Sequence, residues 1–331
     1  MYTAGRFLEK IQGAYIIFIG SLFCSFAMIY AGAAERITDI YIWAFIEGFF
    51  TGFVYLPCLV ILQKIFPGNR GFITGVINLT FGGAAAVMSP VLTSLLVSKG
   101  YVFTSNFCAL ISLLTGTLVA LLIKVPETQD HQSQPPLSPM PFKKIITLAS
   151  FWRLWSAWAL AGAAGISLIV LASSFGEHLG YGVTQYVYIL TCFNILNGIG
   201  RLVCGRLADI YSKQKILMAV FFMAAVAYAV MPWLYNLYLI SFLACFIGLG
   251  FGAMFTVSAP MITDIFGLEN FGKIFGMVFT AYGFIAGLLG PWLSGVLLDI
   301  TDLNFKLVFS MFSIFYMVSV ILVFGVKKHS G

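Results

Sequence analysis

One arginine stands inside an otherwise apolar stretch of this chain. Arg201 lies about one turn from the end of a run spanning 183–205. Thr191, Asn194, Asn197, Arg201 and Gly205 recur at three- or four-residue steps, so on a helix they share a face. A guanidinium at such depth in a bilayer costs at least about 2.5 kcal/mol on the mildest scale. It should therefore face a wet cavity or a partner. Its planar fork matches a carboxylate through two parallel hydrogen bonds. The competing readings are snorkelling to the surface and a structural pairing. Asn197 and Asn194 are hydrogen-bonding neighbours for a bound anion, or glue between helices.

Glu47 is the acid deepest in an apolar run, two turns inside the stretch 39–65. There a carboxyl could carry a proton, or could sit protonated in a hydrogen bond between helices. The histidines offer less. His131, His178 and His329 have no second ligand at metal-binding spacing, so no metal site is expected. No zinc-protease helix, nucleotide loop or nucleophile elbow occurs, which leaves no support for an enzyme and implies no cofactor.

What must position these residues follows from composition. Of 331 residues, 60% are hydrophobic and 9% charged, against roughly 25% charged in a typical soluble domain. The net charge of +6 is not gathered into basic runs, so nucleic acid is not a partner. The six cysteines lie in apolar stretches without a CxxC spacing and read as small hydrophobes. Soluble enzyme, disulfide scaffold and DNA-binding domain are excluded. The chain reads as a polytopic membrane protein whose first partner is the lipid bilayer.

Crossing the hydrocarbon core takes about 20 mostly apolar residues. Ten stretches meet this: 13–33, 39–65, 71–97, 102–124, 151–175, 183–205, 215–235, 237–263, 273–298 and 305–326. If successive loops alternate sides, fourteen of the eighteen lysines and arginines fall on one side. Only Arg36, Lys99 and Lys306 fall on the other, with Arg201 left inside a span. The basic side, with both termini, is expected to be cytoplasmic. No cleavable signal peptide is evident, and the first helix would serve as the insertion signal. The expected domains are a half bundle of four helices over 1–124, a cytoplasmic linker over 125–148 and a half bundle of six helices over 149–331. The linker holds five of the eleven prolines among polar residues, a composition that cannot bury apolar surface.

The halves echo one another. At an offset of 200, Ala4-Gly5-Arg6-Phe7-Leu8-Glu9 lies over Cys204-Gly205-Arg206-Leu207-Ala208-Asp209, and Gly48 and Gly52 lie over Gly248 and Gly252. One residue further on, Gly75 lies over Gly276, and Ser89-Pro90 over Gly290-Pro291. Parallel duplication of a helical bundle is a plan of secondary transporters. Two helices precede Gly205 in the second half and four residues precede Gly5 in the first. The register thus suggests that two helices are missing ahead of residue 1, from a complete plan of six plus six. It also sets Lys64 over Asp264 at matching heights, a candidate ion pair closing the cytoplasmic side.

The loop pair carries a resemblance. Gly5-Arg6 with Glu9, and Gly205-Arg206 with Asp209, resemble the Gly-x-x-x-Asp-Arg-x-Gly turn of the major facilitator superfamily. Glu replaces Asp in the first copy, and Ile210 stands where the second copy usually has Arg. Within the superfamily the chain resembles the oxalate/formate antiporter and monocarboxylate transporter group. That likeness lies in Asn197-Gly198-Ile199-Gly200-Arg201, Tyr55-Leu56-Pro57, Phe66-Pro67-Gly68-Asn69-Arg70-Gly71, Asn270-Phe271-Gly272 and Phe279-Thr280-Ala281-Tyr282-Gly283. The resemblance implies an all-α, major-facilitator-type bundle and makes the arginine matching Arg201 a ligand of the substrate carboxylate. It also implies that dicarboxylate exchangers carry a lysine where this chain has Tyr282. An apolar residue is usual in the group where this chain has Glu47.

The expectation is a monomeric secondary transporter, an antiporter by that likeness, in the cell membrane (the inner membrane in a bacterium). It would move a small organic anion, a monocarboxylate, by alternating access. Arg201, Asn197 and Asn194 would bind it with Tyr282 opposite. The alternatives are a truncated protein that does not transport, and a transporter of drugs or neutral solutes.

Overall fold

The computed structural model describes residues 1–8, 10–123 and 140–327, with the side chains of 81–87, 89, 90, 93, 183 and 184 left aside. Glu9, His131, His329 and most of the expected linker lie outside the described residues.

The described residues form helices and no strands. In chain order these are α1 (Tyr2–Leu8), α2 (Gly13–Gly32), α3 (Ile37–Ile65), α4 (Arg70–Leu122), α5 (Phe142–Ile146), α6 (Ala149–His178), α7 (Val183–Ile210), α8 (Lys213–Val230), α9 (Leu237–Phe266), α10 (Leu268–Thr280), α11 (Gly287–Ile300) and α12 (Phe305–Phe324). Among the described residues nine stretches are long and apolar enough to span a bilayer. The other expected span, 71–97, is helical within α4, although many of its side chains are not described.

Side chains and glycines set the boundaries. Asp39 accepts from the Arg36 amide at 2.9 Å, Asn236 from Tyr238 at 2.9 Å, and Asn304 from Leu307 at 3.1 Å. Each satisfies an amide that the first helical turn leaves without a partner. Gly100 and Gly267 have φ of 82° and 81°, a region that a Cβ disfavours. Gly100 bends α4 into two helices, and Gly267 turns α9 into α10. Between α10 and α11, Ala281–Ala286 winds as a π-helix, a local widening that the sequence signals only through Gly283 and Gly287.

Two compact units result. The first comprises Met1–Pro67, Thr80–Pro136 and Phe271–Gly276; the second comprises Gly68–Leu79, Leu137–Asn270 and Met277–Gly331. In the first, α2 packs on α3 through Ile16, Ile17, Leu56 and Leu59, all nearly inaccessible. In the second, Tyr228, Phe309, Phe312 and Tyr316 fill the core between α6, α8 and α12. The second unit also holds the C-terminal end of the expected 125–148 linker. Met140 is buried and donates its amide to Asn270 Oδ1 at 2.7 Å, and Ile145 of α5 is fully buried.

The repeat reappears as geometry inside each unit. In the first, a Cβ on Gly5 would lie 2.5 Å from the Gly272 carbonyl oxygen, and one on Gly276 would strike Tyr2 at 2.8 Å. In the second, a Cβ on Gly205 would lie 2.5 Å from the Gly71 carbonyl oxygen, and one on Gly75 would strike the Arg201 carbonyl. The pairs 5/272 and 205/71 are related by the register read from the sequence. Backbones this close leave room only for hydrogen at Cα and favour Cα–H···O contacts between helices.

Candidate anion site

Arg201 is half-buried on α7, held from two sides of the second unit. Its Nη1 donates to the Asn78 carbonyl at 2.6 Å, and its Nε donates to Asn197 Oδ1 at 3.3 Å. The partner one turn back on the same helix fixes the tilt of the guanidinium plane. Gly252 of α9 fixes the stem: a Cβ there would lie 2.9 Å from Asn197 Oδ1 and 3.2 Å from Arg201 Cγ. Gly248, one turn earlier, abuts the Phe193 backbone in the same way. The small-xxx-small pair Gly248/Gly252 thus sets the closeness of α7 and α9.

The guanidinium faces an aromatic wall. Its Cζ lies 5.6 Å from the centroid of Phe255, within the range of a cation–π contact. Phe255 meets Tyr282 edge-on at 4.9 Å, and Tyr282 is within electrostatic reach of Arg201. Phe251, Phe279 and Trp158 continue the wall, with Trp158 5.3 Å from Phe255 and Phe279 5.5 Å from Tyr282. Trp158 Nε1 donates to Ser258 at 3.0 Å, and Trp155 Nε1 to Thr280 at 3.0 Å. Trp155 is therefore fixed against α10. Gly162 lets Tyr282 approach α6, since a Cβ there would lie 3.3 Å from its ring.

The structure thus brings Arg201, Asn197 and Tyr282 together. It leaves Asn194 exposed on α7, with no polar partner among the described residues. Rotation about the helix had placed Asn194 with Arg201, but two turns, about 10 Å of rise, separate them. The aromatic wall escaped the sequence reading. Its trace was the spacing of Phe251/Phe255, Phe279/Tyr282 and Trp155/Trp158 at three or four residues.

The motif loops behave as helix-end ligands. Asp209 accepts from the amides of Gly71 and Phe72 at 2.7 and 2.8 Å, capping α4 from another helix, and Arg206 donates to Asn69 Oδ1 at 2.8 Å. A carboxylate on a helix N-terminus gains from both the orphan amides and the dipole. Gly5 is buried and Arg6 exposed in the first copy. Asp209→Asn keeps the shape and loses the charge. It should cost about 1 kcal/mol, read as a lower unfolding temperature of the purified protein, whereas Arg6→Gln should leave that temperature unchanged.

Asp264 has a partner that the register did not suggest. Lys213 of α8 holds it at 2.8 Å, and Lys64 is an exposed residue of the first unit. An exposed pair of this kind is worth at most about 1 kcal/mol.

The sequence profile of the Major Facilitator Superfamily matches the chain twice, over residues 1–238 and 166–330. The chain belongs to the Major Facilitator Superfamily. Among its described residues it has the multi-span helical architecture of that family. The oxalate:formate antiporter of Oxalobacter formigenes is 23% identical over 282 residues, covering 84% of this chain and 67% of that protein. Monocarboxylate transporter 10 of Danio rerio is 26% identical over 263 residues, covering 75% of this chain and 50% of its own. The chain thus spans half to two thirds of these relatives' length. Its fold is shared with the fucose transporter FucP in its outward conformation, at a TM-score of 0.72 and 15% identity, over 99% of this chain and 86% of that one. The human organic anion transporter MFSD10 (TETRAN) gives 0.74 at 13% identity, over 97% and 79%.

Proposed function

We propose that this superfamily member carries a small organic anion with a single carboxylate, by alternating access between the two sides of the membrane. The observation that carries the reading is the posture of Arg201. A guanidinium within a membrane-spanning helix is steadied by the neutral oxygens of Asn78 and Asn197 and laid over Phe255 beside Tyr282. That posture fixes a planar fork, and a fork fixed in advance loses little freedom when it takes up a carboxylate. The named relatives, which exchange oxalate for formate or carry monocarboxylates, support the class. We also assign the basic loop ends to the cytoplasm, following the asymmetry of lysine and arginine.

Charge number follows from position 282. One cation can match one carboxylate, and a second carboxylate beside Tyr282 and the phenylalanines would stay unpaired at a cost of several kcal/mol. Oxamate and oxalate test this, because they share a shape and differ by one charge. In binding to the purified protein, oxamate should bind at least about tenfold more tightly than oxalate. Tighter binding of oxalate would overturn the preference. Binding of neither, with uptake of an uncharged solute, would favour a neutral-solute transporter.

A further inference from the structure

A ladder of polar residues runs into the first unit along α3. Asp39, Trp43, Glu47 and Thr51 follow one another at four-residue steps, one helical turn apart. Glu47 lies ten residues inside the helix, about 15 Å from its start. At the outer end of the ladder Tyr30 of α2 donates its hydroxyl to Asp39 at 2.9 Å. At the inner end Thr51 donates to the Glu47 carbonyl at 2.7 Å, and Cys24 of α2 lies 4.0 Å from Thr51 Oγ1 with its thiol against the Glu47 carboxyl. Phe23 stacks on Phe50 at 4.2 Å, and Phe49, Phe50 and Phe53 form an apolar cluster on the same stretch of α3.

Among the described residues, two buried polar atoms in the ladder lack a hydrogen-bond partner: Glu47 Oε2 and Trp43 Nε1. They belong to neighbouring turns on one face, an acceptor and a donor. The titratable groups packed around are few. Among the described residues they are Cys24 and Tyr30 from α2 and, from α1, the exposed Arg6. Lys273 lies at the far end of α3, where Gly272 approaches Val60. Only burial and the Cys24 thiol bear on the Glu47 carboxyl. An ionised carboxylate at that depth without a cation is costly, so the resting carboxyl holds its proton.

We propose that Glu47 is a proton-binding site of the transport cycle, with the Asp39 end of the ladder as its access. The inference rests on the chain being a transporter and not on the identity of the anion. In the step, the Glu47 O–H bond breaks, its electron pair stays on the carboxylate, and the proton passes to a water that enters along the ladder from its Asp39 end and reaches the carboxyl. The indole N–H of Trp43 cannot relay a proton, but it stands one turn from Glu47 on the same face as a donor for the carboxylate. The Cys24 thiol gives a second donor. Donors of this kind favour the charged form of a carboxyl, because a hydrogen bond to a carboxylate is stronger than one to the neutral acid.

Infrared spectroscopy of the purified full chain in lipid nanodiscs tests the proton directly, without substrate. A protonated-carboxyl stretch that shifts on deuteration should be present at neutral pH, give way to a carboxylate stretch in alkaline buffer, and vanish in Glu47→Gln. It should persist in Asp39→Asn. A missing band, or one that never titrates while the protein stays folded, overturns the proposal in favour of a fixed structural hydrogen bond. If Glu47→Gln fails to fold, Glu47→Asp should retain the band at a shifted position. The second readout is lactate uptake into proteoliposomes, corrected for protein-free vesicles. A gradient of about one pH unit can raise accumulation up to about tenfold when one proton accompanies one anion, since 1.4 kcal/mol is a factor of ten. Glu47→Gln should lose that stimulation and keep lactate–lactate exchange. Equal stimulation in variant and parent overturns the coupling. Absence of lactate transport in both counts against the anion reading alone, and the infrared titration then decides Glu47.

Discussion

Arg201→Lys loses saturable monocarboxylate uptake by tenfold to a hundredfold while the protein stays folded in the membrane. The charge survives this change, so the loss isolates geometry. A guanidinium reaches Asn78 and Asn197 through two different nitrogens. An ammonium is a compact point charge on a flexible stem, and it cannot span those two acceptors in the plane of a fork. Losing one of two charge-assisted hydrogen bonds costs about 1.5–3 kcal/mol, which gives the stated range. The measurement is initial uptake of lactate in proteoliposomes carrying matched amounts of each variant. Arg206→Lys is the control, because Arg206 is exposed and bonds to Asn69 at the helix end; its uptake should stay within about twofold of the parent. Normal transport by Arg201→Lys would remove this arginine from the substrate site.

The spans were legible because a bilayer dictates length and polarity residue by residue. The helices α2, α3, α9 and α12 begin or end within a few residues of the apolar runs that announced them. Arg201 was legible because a buried charge is expensive and therefore conspicuous. The wall around it was not. In a chain with 33 phenylalanines, Phe251 and Phe255 at four-residue spacing look like any packed helix face. Which aromatic rings meet a guanidinium depends on how α7, α9 and α10 cross, and periodicity within one helix does not contain that angle. The same limit explains Asp264. The repeat register compares heights and says nothing of packing within a unit, which is what brings Lys213 of α8 to Asp264 of α9 at 2.8 Å. The Glu47 ladder was half legible. The acid was plain, but the coincidence of an orphaned indole one turn away needs coordinates.

Gly205→Val should prevent accumulation of folded protein, the largest stability effect expected from a single substitution here. A Cβ at 205 would meet the Gly71 carbonyl oxygen at 2.5 Å on one side and Thr256 Cγ2 at 2.9 Å on the other. Neither neighbour is the loose end of a flexible chain. One is the backbone of α4, and the other belongs to a fully buried threonine of α9. Relief on one side deepens the clash on the other, so the three helices must separate. Overpacking in a tight core costs about 1–3 kcal/mol, and more where the backbone itself is the obstacle. Separation would also release Asp209 from the amides of Gly71 and Phe72. Gly198→Ala on the same helix is the control. Its Cβ would lie 3.5 Å from a Leu79 methyl, an ordinary contact, and alanine is the better helix former by about 1 kcal/mol. The repeat extends the prediction to Gly5→Val, whose Cβ would lie 2.5 Å from the Gly272 oxygen and 3.0 Å from the Lys273 nitrogen. Detergent-extracted, monodisperse yield should collapse for Gly205→Val and Gly5→Val and hold for Gly198→Ala. Near-normal yield of both valine variants would mean that these glycines are not what brings the helices together, and the register between the halves would lose its structural basis.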